Sequence, residues 1–502
     1  MSSKAARCIT LSLLDGEKQF HPEFTHQIFG PSESIPGYRS YIDEDESKTD
    51  KVKEEDKEVP DGDEKPTKRV KFNVVEELPK KLELMVRLSP SCSSCEVRYK
   101  CEISDKGSDS VEVKEDGNGP STEVSNLASD KAAMGRMPIM EVIKKLKDSL
   151  PPVIRVVKMN DIEPLHLSTS ISEEYLSKPF GDVLEEYVVE KAGNKETFVL
   201  SLAEGSDNAA SDYHSKIQNL SLFFIETAEA VDISCCNDGS WKVLYLFLKH
   251  GNEKYSFVGY ITLFCFNAPF KRPKSGIVLR ICQALVLPPY QRHGHGRKLI
   301  QAVYQYAYKE GKQYFVIFCN EIFALHTYSI SNGFVHFSEV VVEVNVEDPA
   351  PSFTSLRDKV DYENLMYSIN NPTDEIGRIR LPQKYIDSCP DAKSFFLVLP
   401  DTEAVPVAVH AKILPRQVQI AHEIYKLNIL SDWLVEKSDD EKAEKLKKFR
   451  LMVKQRLVKV YKEDLGAFDD KASKQAKLQE FYLQVQSHYC EILGQSWPAL
   501  VP

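Results

Sequence analysis

The sequence feature that most constrains this fold is an apolar strand that runs into a glycine-containing turn and then into a helix. The strand begins near Gln283, and the turn has the pattern Gln291-x-x-Gly294-x-Gly296. Glycine lets the backbone approach a ligand closely. The first N–H groups of a helix lack intrahelical partners and carry partial positive charge. Together these features predict a binding site for a phosphate or pyrophosphate.

Other phosphate-binding motifs do not fit this turn. The Gly-x-x-x-x-Gly-Lys-Ser/Thr pattern is absent, and the dinucleotide fingerprint needs a third glycine and a later acidic residue that are missing. The partner motifs of a protein kinase are missing too. The remaining match is the acyl-coenzyme-A turn of the GNAT acetyltransferases, Gln/Arg-x-x-Gly-x-Gly/Ala. Because so short a pattern is weakly specific, the rest of the chain decides its meaning.

The composition is that of a globular protein with several domains. Its 502 residues are 42% hydrophobic, and no run of about 18 apolar residues predicts a membrane span. The net charge is −11, but residues 42–64 hold twelve acidic residues and four lysines and so account for −8 of it. We expect this charged segment to be disordered. The overall acidity argues against nucleic acid as a direct partner.

Eleven scattered cysteines indicate reduced, intracellular thiols. Cys92, Cys95 and Cys101 resemble half of a zinc site, but no second Cys/His pair stands at the usual spacing, so no metal is expected. The basic cluster Lys68-Arg69-Val70-Lys71 fits either a nuclear-import signal or a balance to the acidic segment.

The order of predicted elements indicates an α+β fold. Alternating and apolar runs predict strands at 8–14, 81–104, Phe198–Leu202, Trp241–Leu248, Tyr255–Phe266 and Val340–Val346. Helical spacing and breaker residues predict helices at Met140–Leu150, Tyr213–Val231, Gly296–Tyr308, Arg416–Leu434, Asp439–Tyr461 and Lys471–Leu493. Residues 105–135 are predicted to form a mobile loop. The predicted units are a small N-terminal α/β domain (1–178), a core (179–350) and a C-terminal helical domain (351–502).

Four blocks, in family order, resemble the catalytic subunits of type B histone acetyltransferases, which are GNAT enzymes. They are Phe20–Gly30, Phe224–Ala228 with Trp241, Phe257–Tyr260 with Gln283–Gly296, and Val346–Pro349 with Leu356-Arg357-Asp358. A fifth block, Ala421–Lys426, matches more loosely. The Phe-Ile-Glu-Thr-Ala and Glu-Asp-Pro blocks are specific to this family. The resemblance implies a GNAT core, a mixed and mostly antiparallel sheet flanked by helices.

The resemblance also implies a reaction, a site and partners. The reaction is transfer of acetyl from acetyl-CoA to lysines of newly made histones, chiefly those in the tail of histone four. Histone three is an implied partner together with histone four. The implied partner is a WD-repeat histone-binding chaperone, and the implied location is nucleus and cytoplasm. Glu347 is predicted to be the base, with Glu226 and Asp348 sharing the proton path. The predicted coenzyme-A-binding residues are Ala284, Leu285, Val286, Gln291, Arg292, His293, Gly294, His295, Gly296 and Arg297.

Some of these roles have alternatives. A backbone N–H at Leu285 or Val286 is expected to face the thioester oxygen. The side chains of Arg292 and Arg297 either add charge to the pyrophosphate site or lie on the surface. His293 and His295 either have a catalytic or metal-binding role or are solvent-facing spacers. We expect spacers, because the backbone supplies the chemistry of such a loop.

Glu226 is predicted to lie on a helix between apolar neighbours, a setting that raises the pKa of a carboxylate. The alternative is an ordinary solvated glutamate on the helix surface.

The sequence departs from the family at two apparent insertions, about 42–80 and 313–338. The second contains Asn320–Phe334, which looks like the ending of ordinary GNAT enzymes. We prefer Val340–Val346 as the core strand because the resemblance continues through Leu356-Arg357-Asp358. In the ordinary pattern, Glu347 and Asp348 would lose their catalytic placement. The alternative functions are a catalytically impaired histone-chaperone component that uses residues 42–64, and a GNAT acetyltransferase for another amine.

Overall fold

The computed structural model describes most of the chain outside the predicted insertions. The described residues are 4–13, 18–29, 38–39, 80–101, 138–159, 169–191, 193–235, 240–309, 340–374, 379–386 and 389–496. The predictions for the acidic segment 42–64, the basic cluster Lys68–Lys71, the loop 105–135 and the segment 313–338 lie outside them.

The N-terminal region forms a mixed sheet with strand order β2-β1-β4-β5-β6, and β3 pairs with β4. Along β4 the side chains of Leu82, Leu84 and Val86 are buried, the alternation expected of a strand with one face on a core. Helix α1 contributes Val142 and Leu146 to the same core. The elements are β1 (Ile9–Leu13), β2 (Lys18–Phe20), β3 (Tyr38–Arg39), β4 (Lys80–Leu88), β5 (Cys95–Cys101), α1 (Ile139–Asp148) and β6 (Val153–Lys158).

A second six-stranded sheet has the order β12-β11-β10-β9-β8-β7, and its members pair antiparallel except β11 and β12, which run parallel. The elements of this part are β7 (Asp182–Lys191), β8 (Asn194–Glu204), α2 (Asn208–Ile217), β9 (Trp241–His250), β10 (Lys254–Ala268), β11 (Gly276–Val286), α3 (295–309) and β12 (Val341–Val346). The predicted strand Val340–Val346 is thus confirmed as a neighbour of β11.

The two parallel strands separate along their length. β12 pairs with β11 from Ile277 to Ile281, whereas β11 continues to Val286 with β10 as its neighbour. The ladder between β10 and β11 has an irregularity beside Thr262, and bulges of this kind bend a strand and increase its twist. Beside residues 282–286 of β11 there is thus an opening, where β11 pairs with β10 but not with β12.

The predicted helix Tyr213–Val231 is wrong beyond its first turns. Helix α2 ends at Ile217, a 3-10 turn covers Gln218–Phe223, and irregular backbone follows. The cause is tertiary: the Phe223 carbonyl accepts hydrogen bonds from the Glu23 and Phe24 amides, at 2.8 and 3.0 Å. Helix propensity is a weak preference that such contacts override.

The C-terminal region is helical, as predicted. Its long helices are α4 (Pro351–Asn370), α5 (Asp401–Ala411), α6 (Pro415–Leu434), α7 (Asp439–Val460) and α8 (Lys471–Leu493). Short helical turns lie at Lys4–Arg7, His26–Phe29, Thr169–Ser172, Gln383–Ile386 and Lys462–Gly466. Short 3-10 turns lie at Gly251–Glu253, Pro288–Tyr290 and Lys393–Phe396. Within the described ranges, no helix is both long and apolar enough to cross a membrane.

Helices α6, α7 and α8 meet at a buried ion pair. Arg456 donates from Nε and Nη2 to the two carboxylate oxygens of Glu423, at 2.8 and 2.9 Å. The Tyr489 hydroxyl donates to Glu423 at 2.7 Å. Both charged side chains are only 3% exposed, so the three helices are tied together by charge-assisted hydrogen bonds.

Helix α4 carries a buried carboxylate that gives folding a pH dependence. Asp361 accepts a hydrogen bond from Gln417 at 2.6 Å, and burial raises the pKa of Asp361 to about 7. Its ordinary value is about 3.9, so the folded state holds this proton more tightly than the unfolded chain. That contribution to stability is complete below about pH 4 and is lost as the pH rises through 7.

We therefore expect the Asp361→Asn variant to gain stability relative to wild type as the pH rises from 5 to 8. The difference should grow by at most about 1.4 kcal/mol for each pH unit. Urea midpoints of both proteins at pH 5, 6, 7 and 8 measure it. A constant difference across that range would contradict the prediction.

Candidate active site

The phosphate turn has the predicted geometry. Gly294 adopts φ 87° and Arg292 φ 64°, both in the left-handed region. The first helical hydrogen bond of α3 runs from the Lys298 amide to the Gly294 carbonyl, at 3.1 Å. The amides of residues 295–297 therefore stand at the helix end, where partial positive charge stabilises an anion. This backbone fits a pyrophosphate without any cationic side chain.

The two glycines of the turn serve different purposes. A Cβ on Gly294 would meet nothing within 4 Å, so this residue is needed for its backbone angle and for the open space above the turn. A Cβ on Gly296 would lie 2.7 Å from a methyl carbon of Leu356. Gly296 therefore also allows α3 to pack closely against α4.

The Gly294→Val variant should lose most of its acetyl-CoA affinity while the chain stays folded. A β-branched residue at φ 87° forces the turn to rearrange, at a cost of about 1–3 kcal/mol, and its side chain enters the space where the pyrophosphate is expected. Isothermal titration with acetyl-CoA measures the affinity, and circular dichroism checks the fold. Unchanged affinity would remove the phosphate assignment.

The histidines of the turn differ from prediction. His295 is 2% exposed: its Nδ1 lies 2.7 Å from the Tyr187 hydroxyl, and its ring centroid lies 4.2 Å from that of Phe198. Burial lowers the pKa of His295 to about 4, so the ring is neutral near pH 7. The prediction of a solvent-facing spacer is wrong for His295, which packs beneath the turn. His293 is half-buried, with Nδ1 at 3.3 Å from the Tyr290 carbonyl oxygen.

The two arginines also differ from one another. Arg297 Nη2 lies 3.1 Å from the Glu363 carboxylate on α4, which offsets part of its charge. Arg292 is exposed on the turn. Arg292 is thus the better placed of the two to add charge to a bound phosphate.

The exposed edge of β11 lies in the opening between β11 and β12. The Leu287 amide donates to Val258 and the Gln283 amide to Thr262, at 2.9 and 3.0 Å. Since successive residues of a strand point their amides to opposite sides, Leu285 also faces β10, whereas Ala284 and Val286 face the opening. The Gln291 side chain donates to the Val286 carbonyl at 2.8 Å, which agrees with this orientation. The geometry favours the Val286 amide over that of Leu285.

Glu347 lies where β12 leaves the sheet. Its amide donates to the Ile281 carbonyl at 3.0 Å, and its carboxylate lies 3.6 Å from the Arg280 guanidinium. Burial and the Glu347 carboxylate raise the pKa of the Cys282 thiol to about 12. The side chain of Glu347 is 52% exposed, so it stands at the mouth of the opening, accessible to a substrate. Asp348 follows at φ 33° and is exposed.

Glu226 reaches the site on a turn and not on a helix. The Gln27 side chain donates to the carbonyls of Glu226 and Ala228, at 3.1 and 2.6 Å. The Gln283 side chain donates to the Glu229 carbonyl at 2.6 Å. The turn is therefore held between the N-terminal region and β11. Glu226 itself is exposed, so the prediction that it lies on a helix between apolar neighbours is wrong.

Sequence reasoning missed Gln27 and Gln283 as the residues that hold this turn. Each is a glutamine inside a block that resembles the family, but neither spacing nor residue type indicated a partner. Only the fold brings 20–30, 224–228 and the end of β11 to one place.

The cysteines at 92 and 95 are packed in the N-terminal core. Both are fully buried, and burial raises the pKa of Cys95 to about 12 and that of Cys92 above its usual range. They suit a packing role, since a metal ligand must be a thiolate. Across the described ranges no group of three or more His, Cys, Asp or Glu side chains is arranged to hold a metal.

Two family models match the chain. The model of the histone acetyl transferase HAT1 N-terminus matches residues 1–42 and 120–226, and the acetyltransferase (GNAT) model matches residues 216–334. Over these residues the chain is similar to type B histone acetyltransferases and to GNAT acetyltransferases. The GNAT fold predicted from the sequence is confirmed by this match together with the sheet, and members of the GNAT family use acetyl-CoA.

Relatives of this family come from distant eukaryotes. Type B catalytic subunits align at 27% identity in Dictyostelium discoideum (54% of this chain, 52% of that protein), 31% in Kluyveromyces lactis (45% and 50%) and 26% in Mus musculus (64% and 62%). The chain thus spans about half the length of the curated relatives it matches. A solved aminoglycoside acetyltransferase overlaps 28% of this chain and 93% of its own at 16% identity, with a TM-score of 0.18, too low to support an argument.

The GNAT model and the observed sheet differ on which segment follows α3 in the core. The match ends at residue 334 and so covers most of 313–338, whereas the strand that pairs with β11 is Val341–Val346. The strand beside the opening is therefore β12, which directly precedes Glu347.

Proposed function

We propose that this protein is a histone lysine N-acetyltransferase that transfers acetyl from acetyl-CoA to newly made histones. One observation carries the proposal. The phosphate turn at 291–297 and the accessible carboxylate of Glu347 lie at the two ends of the opening beside residues 282–286 of β11. An acyl carrier bound at the turn can extend along the edge of β11 toward Glu347, which suits acyl transfer to an amine.

The chemistry proposed for the opening is direct attack by the lysine amine. A lysine starts as an ammonium with a pKa of about 10.4, and it must lose a proton before it attacks. Glu347 is the proposed base, since it is accessible and anchored to β11 by its own amide. Glu226 and Asp348 are proposed to share the proton path, since both are exposed carboxylates.

The protein's remaining contribution is electrostatic. The Val286 amide is proposed to donate to the thioester oxygen as charge develops there, an interaction that typically contributes a few kcal/mol in acyl transfer. The amides at the start of α3 are proposed to hold the pyrophosphate. Both groups are backbone, so they are positioned by the fold before substrate arrives.

The proposed substrate is the tail of histone four, presented together with histone three. A WD-repeat histone-binding chaperone is the proposed partner, and nucleus and cytoplasm the proposed location. Resemblance to the type B family and the names of the relatives support the histone assignment. The exposed carboxylates Glu226, Glu347 and Asp348 at the site also suit a basic peptide.

The test is transfer of radiolabelled acetyl from acetyl-CoA by the full chain. Its acceptors are a histone-four tail peptide, the same peptide with every lysine replaced by arginine, and a polyamine. Label on the lysine peptide alone supports the proposal. Label on the polyamine in preference to the peptide indicates an acetyltransferase for another amine.

A histone-binding assay distinguishes the third possible function, a histone-chaperone component without catalysis, from the two acetyltransferase functions. Histones bound without any acetyl transfer, with binding lost on deletion of residues 42–64, would support that function. Those residues carry the net charge of −8 that suits basic histones. Acetyl transfer that survives the deletion would oppose it.

A further inference from the structure

Helix α4 connects the candidate site to the C-terminal region. It begins at Pro351, directly after the Glu-Asp-Pro segment, and packs along α3 through two contacts already described: Leu356 against Gly296, and Glu363 with Arg297. Arg357, which is buried, makes a third contact with α3. It has no role in the proposed chemistry and is not part of the phosphate turn.

Arg357 contacts two elements at once. Its Nε donates to the hydroxyl of Tyr304 on α3 at 3.1 Å, and its Nη2 donates to the carbonyl of Val344 on β12 at 2.8 Å. Helix α3 begins at the phosphate turn, and Glu347 directly follows β12, three residues beyond Val344. One guanidinium therefore spans the helix that would hold the pyrophosphate and the strand that carries the proposed base.

The outer edge of β12 has a second support from the C-terminal region. The Val344 amide donates to the Lys412 carbonyl at 2.8 Å, and the Lys412 ammonium donates to the Val341 carbonyl. The backbone of β12 is thus fixed on both sides, by β11 over its paired residues and by Arg357 and Lys412 on the other edge. The last contact between the two strands is that of the Glu347 amide with the Ile281 carbonyl, so the position of Glu347 also depends on how firmly the preceding residues of β12 are held.

Groups close to Arg357 oppose the cost of burying its charge. Asp358 and Asp361 are the nearby carboxylates on α4, and Tyr304 and the two aspartates raise the pKa of Arg357 against the effect of burial. A guanidinium offers several donors in one rigid plane, whereas a lysine ammonium is a compact point charge. Spanning Tyr304 and Val344 together requires the arginine.

We infer that Arg357 is a positioning residue for the acetyl transfer: it fixes the separation between the coenzyme-A helix α3 and the strand that carries Glu347. The inference rests on the proposed function, in which Glu347 is the base. A displacement of the base by about 1 Å costs on the order of 10²-fold in rate, so the span across α3 and β12 sets turnover while acetyl-CoA still binds at the turn.

The test compares the full-length variants Arg357→Lys, Tyr304→Phe and Arg450→Lys with wild type. Arg450 lies exposed on α7 and serves as the matched control. Hydrogen–deuterium exchange of residues 341–346 reports on β12 directly, without any need for activity. For Arg357→Lys we expect faster exchange there but unchanged exchange over 439–460, kcat reduced roughly 10- to 100-fold, and a Kd for acetyl-CoA within about threefold of wild type.

A double variant separates positioning from loss of fold. If Arg357 acts through Glu347, adding Arg357→Lys to Glu347→Gln should change the residual rate by less than about twofold. Losses that multiply in the double variant, or β12 exchange equal to wild type in Arg357→Lys, would overturn the inference. If Arg357→Lys does not fold, Tyr304→Phe decides: faster exchange of 341–346 supports the span, and wild-type exchange overturns it. If the wild-type protein transfers no acetyl group, the proposed function is refuted. The exchange data would still show whether Arg357 holds β12 against α3.

Discussion

The Glu347→Gln variant should lose turnover by about 10²–10⁴-fold, the usual contribution of a positioned general base. The substitution keeps the size of the side chain and the amide contact to Ile281 but removes the proton acceptor at the mouth of the opening. Affinity for acetyl-CoA should stay within about twofold, because the phosphate turn lies at the other end of the opening. Steady-state rates and acetyl-CoA titration measure the two quantities separately.

The matched controls are the neighbouring carboxylates. Glu226→Gln and Asp348→Asn should each lower turnover less than Glu347→Gln does, if those residues only share the proton path. Turnover close to wild type in Glu347→Gln would end its assignment as the base. A larger loss in Glu226→Gln would transfer the assignment to Glu226.

The second large effect is expected on stability. The Glu423→Ala variant should lose about 3–5 kcal/mol of folding free energy, the usual cost of leaving one partner of a buried ion pair uncompensated. Arg456 would keep its charge at 3% exposure without the carboxylate that now accepts two of its hydrogen bonds. Urea unfolding of the C-terminal helices, followed by circular dichroism, measures the loss.

Two comparisons show whether burial is the cause. Glu423→Leu combined with Arg456→Met removes both charges and should recover much of the loss, because apolar replacements avoid the desolvation of an unpaired ion. Glu480→Ala breaks the ion pair of Glu480 with Lys477, in which the side chains are 52% and 32% exposed, respectively. This variant should lose less than about 1 kcal/mol of folding free energy. Equal losses at the two sites would contradict the role of burial.

Strongly periodic elements were predictable from sequence alone. The strand Val341–Val346 and the helices Asp439–Val460 and Lys471–Leu493 lie within a residue or so of their predicted bounds. Each has its own stop signals or a buried face that the pattern records. The segment after α2 was not predictable, because Phe223 at its end is held by the amides of residues 23–24, about 200 positions away.

The candidate site divides in the same way. The turn at 291–296 was predictable because its glycines and the following helix are adjacent in sequence. The burial of His295 was not, because the rings that cover it, Tyr187 and Phe198, come from β7 and β8. The choice of Val286 over Leu285 needed the hydrogen bonds of β10, since alternation alone does not say which side is open.

The hydrogen bonds of Gln27 to the turn that carries Glu226 have a consequence for folding during synthesis. The first thirty residues leave the ribosome long before residues 226–228 exist to meet them, and Val344 must wait for Lys412. The site is therefore assembled late, by partners that are far apart in the chain. A chain that begins after residue 178 would keep the phosphate turn but lose the Gln27 contacts with the turn that carries Glu226. A chain that ends at residue 350 would keep the phosphate turn but lose the contacts of Arg357 and Lys412 with β12.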